Sequence, residues 1–278
     1  MSKPFSGSPE FQKLLSRSCS TSLARIALEI ACDVYPDLDV EHYLNLADGL
    51  VRRIKDRVPG NAKPKQVLGQ INWVLFVEEG YHGNTEDYYD SRNSYLNDVI
   101  DRKTGIPISL SVLYKTLADQ LGLKLFGLNL PAHFLLRVEQ DGPPLFVDPF
   151  HGGALLDRDG CERAIADRLG TPFELTDSHL RPCTQDQVVA RILRNLKAIH
   201  FRNQDFFSAL LVQRRLAALA SEDGLEQRDL GMLFLQLDRP ADAIVPFQIF
   251  LESAPAGEET EVVKALLRAA RREVATWN

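Results

Sequence analysis

Cysteine is scarce in this chain, and its placement excludes more than it suggests. Four cysteines in 278 residues, Cys19, Cys32, Cys161 and Cys183, share no Cys-x-x-Cys spacing, so neither a zinc site nor a disulfide framework is indicated. No run approaches the ~20 apolar residues that a membrane-spanning helix needs. The opening stretch from Met1 to Pro9 is polar and has no apolar core of signal-peptide length. A cytoplasmic protein without a membrane partner is therefore expected. Lys and Arg form no cluster and the net charge is −6, which argues against sequence-independent nucleic-acid binding. Low-complexity tracts are absent. What remains is an ordinary globular composition, 45% apolar and 25% charged, and enough length for two domains with their own cores.

The first part of the sequence reads as helices. Ser22 to Val34, Val40 to Val58 and Lys65 to Glu78 carry apolar residues at helical spacing, separated by Pro36, Pro59-Gly60 and Pro64. Trp73 is expected in the core.

The chemistry concentrates between Arg102 and Gly153. Leu110, Leu113, Tyr114, Leu117 and Leu121 form the apolar stripe of a helix, with Thr104 as its N-cap, Pro107 in its first turn and Gly122 at its end. Strands follow over Lys124 to Leu130, His133 to Val138 and Leu145 to Asp148, the last two joined by the turn Gln140-Asp141-Gly142-Pro143. A hairpin about that turn returns Asp148 to within a residue or two of His133. Only the right register puts both on one face.

A helix start, a strand histidine and an acid on the next strand is the frame of a nucleophile, base and orienting carboxylate. No cysteine stands at the helix start. Ser109, in the first turn, is the one hydroxyl placed to complete a Ser109, His133, Asp148 triad. The competing reading gives Ser109 to the local backbone amides. Asp148-Pro149 is also an ordinary strand exit, and His151-Gly152-Gly153 reads as turn rather than ligand. Cys161, after Asp159-Gly160, is the cysteine whose proximity to His133 matters.

Between Gly83 and Asn97, polar and aromatic residues interleave. Asn84, Tyr88, Asp90, Asn93 and Tyr95, with His133, are candidate ligand-binding residues, the rings giving area and the amides direction. The alternative is a long connection tied down by Asx turns and caps. Asp87 and Asp90 are too few for calcium or magnesium. No metal and no cofactor is expected.

Four ordered segments carry a resemblance: Gly83 to Asn97, Arg102 to Tyr114, Pro131 to Arg137, and Val147 to Gly153. Together they resemble the SirB-type family, a bacterial branch of the transglutaminase-like superfamily followed by tetratricopeptide repeats, with related sequences in some eukaryotic F-box proteins. The resemblance runs from about Ala27 to the C-terminus. It implies a papain-like or transglutaminase-like scaffold in which His133 and Asp148 match the catalytic His and Asp, while Pro107 occupies the place of the cysteine. Ala132 stands where the family usually has Gly.

The C-terminal third has another pattern. Ala209 and Ala243 align at a spacing of 34 residues, the tetratricopeptide period. Gly231, Ala243, Phe247 and Pro255 fall at that repeat's small, small, aromatic and terminating positions, and Thr260 to Trp277 supplies a capping helix. The stripe Leu193, Leu196, Ile199 and His200 is assigned to the core.

The expectation is thus an α+β, transglutaminase-like domain over residues 1–183, with a helical shell, a small antiparallel sheet and a Pro172 to Pro182 linker, then an all-α tetratricopeptide-repeat-like domain over 184–278. The expected function is a non-catalytic peptide- or protein-binding or regulatory module using the inherited cleft, with a protein or peptide partner. Alternatives are a serine-dependent hydrolase or acyl transferase, and an assembly adaptor that binds partners through its repeats.

Overall fold

The computed structural model describes residues 5–18, 21–140, 142–221 and 223–276. Cys19, Asp141 of the hairpin turn and Trp277 of the capping helix lie outside them. The molecule divides into two compact units, Met1–Ile192 and Leu193–Asn278.

The first unit begins with helices α1 (Pro9–Leu15), α2 (Leu23–Ala31), α3 (Val40–Lys55) and α4 (Pro64–Asn72), the last running into a π-helical turn over Trp73–Glu78. Their starts follow from side-chain chemistry. Ser22 accepts from the Arg25 amide and Asp39 from the His42 amide. The carboxylate of Glu29, buried on α2, accepts from the backbone N–H of Glu10 and Phe11 at 3.0 and 2.8 Å, satisfying amides at the start of α1. Trp73 departs from its expected place. It is 49% exposed, and its indole N–H donates to Glu78, because the widened turn rotates it off the apolar stripe.

Next come β1 (His82–Gly83), a 3-10 turn (Ser91–Asn93), α5 (Leu96–Arg102), β2 (Thr104–Gly105) and α6 (Pro107–Gln120). β1 and β2 pair in parallel, His82 opposite Thr104. Thr104 is therefore a strand residue and not the cap of α6. The cap is Ile106, extended at φ −102° and ψ 170°, because a residue before proline is held out of the helical region. Pro107 opens the helix as expected. α6 is buried nearly all round, Ile108, Leu110, Val112, Leu113, Tyr114 and Leu117 each at 2% exposure or less. Such a helix is the centre of its unit, and each fully buried leucine there contributes roughly 1.5–3 kcal/mol.

Strands β3 (Leu125–Leu130), β4 (His133–Val138), β5 (Phe146–Asp148) and β6 (Ala154–Leu156) form an antiparallel sheet in that order. The sheet has one strand more than the sequence pattern predicts. β6 is three residues long, without alternation, and pairs with β5 from Phe146↔Leu156 to Asp148↔Ala154. β3 and β4 are closed so tightly, Leu130 opposite His133, that Ala132 takes φ +52°. Gly adopts that conformation freely, whereas for an L-residue it costs roughly 1–2 kcal/mol, which accounts for glycine being usual there.

Helix α7 (Arg158–Leu169), capped by Asp157, contributes Cys161 and Ile165 to a core with Leu128, Leu135 and Phe146. The expected linker joins the same core. Leu175 is fully buried in it, the Leu180 carbonyl accepts from Arg137 at 2.9 Å, and the Cys183 amide donates to Gly127 at 2.8 Å. With 172–183 anchored to the sheet, the division falls later than the expected 183/184, inside α8 (Gln185–Arg202).

In the second unit, α9 (Phe206–Leu219), α10 (Gly224–Gln236), α11 (Pro240–Ser253) and α12 (Glu258–Ala275) follow the repeat. Ala209, Ala243, Phe247 and Phe250 share one core with Val263 and Leu267 of α12. Gly231 lies directly under the Phe247 ring, where a Cβ would collide. Leu193, Leu196, Ile199 and His200 are all buried.

Candidate functional site

Strand geometry brings His133 and Asp148 together. Leu136 pairs with Val147, so one step further Asp148 lies opposite Leu135, on the face that His133 shares. The His133 Nε2 to Asp148 Oδ2 distance is 2.7 Å, with both side chains 0–1% exposed. His151 joins them, its Nδ1 also 2.7 Å from Asp148 Oδ2. The other carboxylate oxygen accepts from the Phe150 and His151 amides at 3.1 and 3.4 Å, so Asp148 caps the 3-10 turn Pro149–His151. Reading His151 as turn alone misses its part in this triad. The signal for it is its place three residues after an acid that caps a turn.

Burial by itself raises the pKa of Asp148, but hydrogen bonds from His133 and His151 outweigh it and hold the carboxyl well below the usual range. Burial lowers the pKa of His133, and Asp148 offsets this only in part. The pair is thus a neutral imidazole on an ionised carboxylate. A carboxylate only accepts, so Nε2 carries the proton. The lone pair, the nitrogen that would act as a base, sits on Nδ1, which is buried without a hydrogen-bond partner among the described residues.

No hydroxyl or thiol among the described residues addresses that nitrogen. Ser109 is 1% exposed. Its Oγ donates to the Asn93 carbonyl at 2.5 Å, lies 3.2 Å from the Ile106 carbonyl, and accepts from the Ile106 amide at 3.1 Å. It ties the start of α6 to the 83–97 loop. Cys161 is buried at 0% exposure in an apolar core, which pushes its thiol up to about 12, far from the thiolate a nucleophile requires.

The loop residues divide into two sets. Asn84 accepts from the Glu86 and Asp87 amides and donates to Asn93 Oδ1 at 3.1 Å. Asn93, fully buried, donates to the Asp87 carbonyl at 2.7 Å. Asp90 caps the 3-10 turn and pairs with Arg92 and Arg102 at 2.8 and 3.1 Å. Tyr95 is buried edge-on to Tyr35, ring centres 5.8 Å apart. Asp90, Asn93 and Tyr95 therefore shape the loop from within, and Asn84 and Tyr88 line a cleft of about 550 Å³ together with Asp148, Phe150, His151 and Arg168. His133 stands behind Asp148 and does not line it. Arg168 has no sequence signal, being one of several arginines on a polar helix.

One nitrogen each from His133 and His151 and an oxygen of Asp148 lie within 4.8 Å of one another, a donor set of the kind that holds a divalent transition metal. Both nitrogens are committed to hydrogen bonds with Asp148. The second nitrogen of His133 also lacks the acceptor that a metal-bound histidine ordinarily has. The arrangement fits a hydrogen-bonded triad better than a metal centre.

A family model described as the transglutaminase-like superfamily matches residues 41–194. The protein belongs to that superfamily. A tetratricopeptide-repeat model matches residues 196–268. A UPF0162 protein of Xylella fastidiosa (strain Temecula1) is 34% identical over 250 residues, 88% of either sequence, and one of Vibrio cholerae is 30% identical over 70% of this sequence and 73% of its own, so the protein also belongs to the UPF0162, SirB-type, family. F-box only protein 21 of Mus musculus is 43% identical over 112 residues, 37% of this sequence and 18% of its own. A crystal structure of menin overlaps at a TM-score of 0.42 with 11% identity, over 93% of this sequence and 72% of its own, a likeness too distant to carry an argument. This transglutaminase-like and repeat-bearing composition supports a protein-interaction module, since stacked repeats build concave binding surfaces. Among the described residues, no helix is long and apolar enough to cross a membrane.

The repeat unit has a cavity of its own. It is about 1040 Å³ and is walled in part by Phe201, Met232 and Val262, which are 41–52% exposed. Its charges are cross-paired: Lys197 with Glu226 and Asp229, Arg194 with Glu226, and Arg228 with Asp229.

Proposed function

We propose that this protein is a non-catalytic member of its superfamily that holds a peptide or an extended protein segment in the cleft between the 83–97 loop and the wall of Asp148, Phe150 and His151. The observation that carries the reading is the start of α6. Proline stands in the cysteine's place, and the hydroxyl in the same first turn, on Ser109, gives its proton to the Asn93 carbonyl, leaving His133 a base without a nucleophile. The cleft keeps the volume and the mixture of aromatic and polar walls that suit a bound segment.

Panning a display library of random linear peptides on the full-length protein tests this. Enriched sequences should bind the wild type, and Ala164→Phe, which fills the cleft from its wall, should weaken them about tenfold or more. Failure to enrich any sequence, or binding indifferent to Ala164→Phe, would sink the reading. Turnover of acyl esters that vanishes in a folded Ser109→Ala protein would support instead a hydrolase using Ser109, His133 and Asp148.

A second reading, an adaptor acting through the repeats, is favoured by the exposed Phe201, Met232 and Val262 wall. It predicts that Met232→Glu, and not Ala164→Phe, abolishes peptide capture.

A further inference from the structure

The cleft is asymmetric in what its walls leave unbonded, and this points to a ligand class. Arg168, in the last turn of α7, lines the cleft with its guanidinium 4.8 Å over the Phe150 ring. That cation–π contact holds the charge against the cleft wall. Its Nε is buried with no hydrogen-bond partner, and no carboxylate pairs with it among the described residues, whereas Arg92, Arg102 and Arg158 of the same unit are all paired. A guanidinium has five donors and is always charged, so one held in a cleft with its buried Nε unanswered and no carboxylate beside it among the described residues is an incomplete half of an ion pair. Tyr88 lines the same cleft and also has no hydrogen-bond partner for its hydroxyl among the described residues. Burial raises its pKa, keeping it a donor at neutral pH. His151 offers the complement. Its Nδ1 is engaged by Asp148 at 2.7 Å, which leaves Nε2 as the ring atom on the cleft wall free to meet a bound segment.

Resting on the peptide-binding reading above, we infer that the cleft recognises a peptide carboxylate, with Arg168 and Tyr88 as the donors that select it. Asp148 and the exposed Asp167 flank the same cleft, and their negative charge favours a singly charged carboxylate over a doubly charged phosphate. The carboxylate can come from a free peptide C-terminus or from an Asp or Glu side chain, and the pools below separate the two.

Binding to the full-length protein is measured with four pools of short synthetic peptides sharing one randomised neutral sequence. One pool has a free C-terminus, one is amidated, one is amidated with a single Asp or Glu, and one is amidated with a phosphoserine. At least one carboxylate pool should bind about ten- to a hundredfold more tightly than the neutral amidated pool, the range expected of charge-assisted hydrogen bonds. Arg168→Gln should erase that preference with an unchanged melting profile. Arg168→Lys should retain part of it, since charge survives but the planar fork does not. Equal binding of the neutral amidated pool, a preference that persists in Arg168→Gln, or tighter binding of the phosphoserine pool would overturn the inference and leave the peptide-binding reading standing. Binding of no pool would overturn both.

Discussion

Two cavities of the molecule, one in each unit, differ in the opposite sense to their size. The larger, about 1040 Å³ in the repeat unit, has each of its cations engaged with a carboxylate and exposes Phe201, Met232 and Val262. The smaller, about 550 Å³ in the transglutaminase-like unit, leaves the Arg168 Nε and the Tyr88 hydroxyl without hydrogen-bond partners among the described residues, beside a fully bonded Asp148. Pre-paired charges cancel locally and leave an apolar wall that selects by shape, while open donors select by chemistry. The unit with less room therefore makes the more specific demand on a ligand.

The strongest test of this contrast is to remove the group that organises the smaller cavity. Asp148→Ala deletes the acceptor for His133, His151 and two backbone amides and leaves an imidazole buried with neither nitrogen bonded. A loss of about 3–5 kcal/mol in chemical denaturation is expected, since several hydrogen bonds to one charged group are lost at about 1.5–3 kcal/mol each and are not fully additive. A loss below about 1 kcal/mol would mean that the triad is not what holds this wall.

Glu226→Ala is the corresponding cut in the repeat unit. Glu226 accepts from Gln213 at 2.9 Å and pairs with Arg194 and Lys197, but Lys197 keeps Asp229 at 2.6 Å. With a partner in reserve, the cost should be about 1–3 kcal/mol, smaller than that of Asp148→Ala under the same denaturant. An equal or larger cost would reverse the ranking of the two sites.

Acidification probes both units through their buried histidines. Burial lowers the pKa of His133 and, despite Asp205, that of His200. A histidine whose native pKa is depressed leaves the unfolded state holding more protons as pH falls below about 6.5. Stability is therefore full above that pH and declines below it, by up to about 1.4 kcal/mol per pH unit for each group until the native form also titrates. His133→Gln and His200→Gln should each remove one share of the slope. A pH-independent stability between neutrality and pH 5 would show that neither ring is buried neutral.

Much of the fold is legible in residue order, and the legible parts differ physically from the rest. The short apolar run from His133 to Val138 and the turn residues at 140–143 return Asp148 to within two residues of His133, as found, since strand and turn chemistry are local. The spacing of Ala209 and Ala243 exposes the repeats because each unit repeats the same packing problem. β6 escapes notice because three residues carry no period. Thr104 reads as a cap because its pairing with His82 lies 22 positions away in sequence. The Pro172 to Pro182 segment reads as linker because its apolar residues, Phe173, Leu175 and Leu180, follow no period and meet partners distant in sequence. Arg168 cannot be found at all, since what distinguishes it is a missing partner, and a missing partner is a property of the tertiary structure alone.

The smallest change is also the most discriminating. Tyr88→Phe removes one oxygen from a half-buried ring that has no hydrogen bond to lose among the described residues, so folding stability should move by less than about 0.5 kcal/mol. If that hydroxyl serves a bound carboxylate, affinity should fall roughly three- to tenfold, the worth of one ordinary hydrogen bond, and the loss should disappear in an Arg168→Gln background where the carboxylate is no longer held. A loss that persists unchanged in that background would assign Tyr88 to some other part of the ligand. The double variant thus separates two donors acting on one group from two residues that only share a cavity.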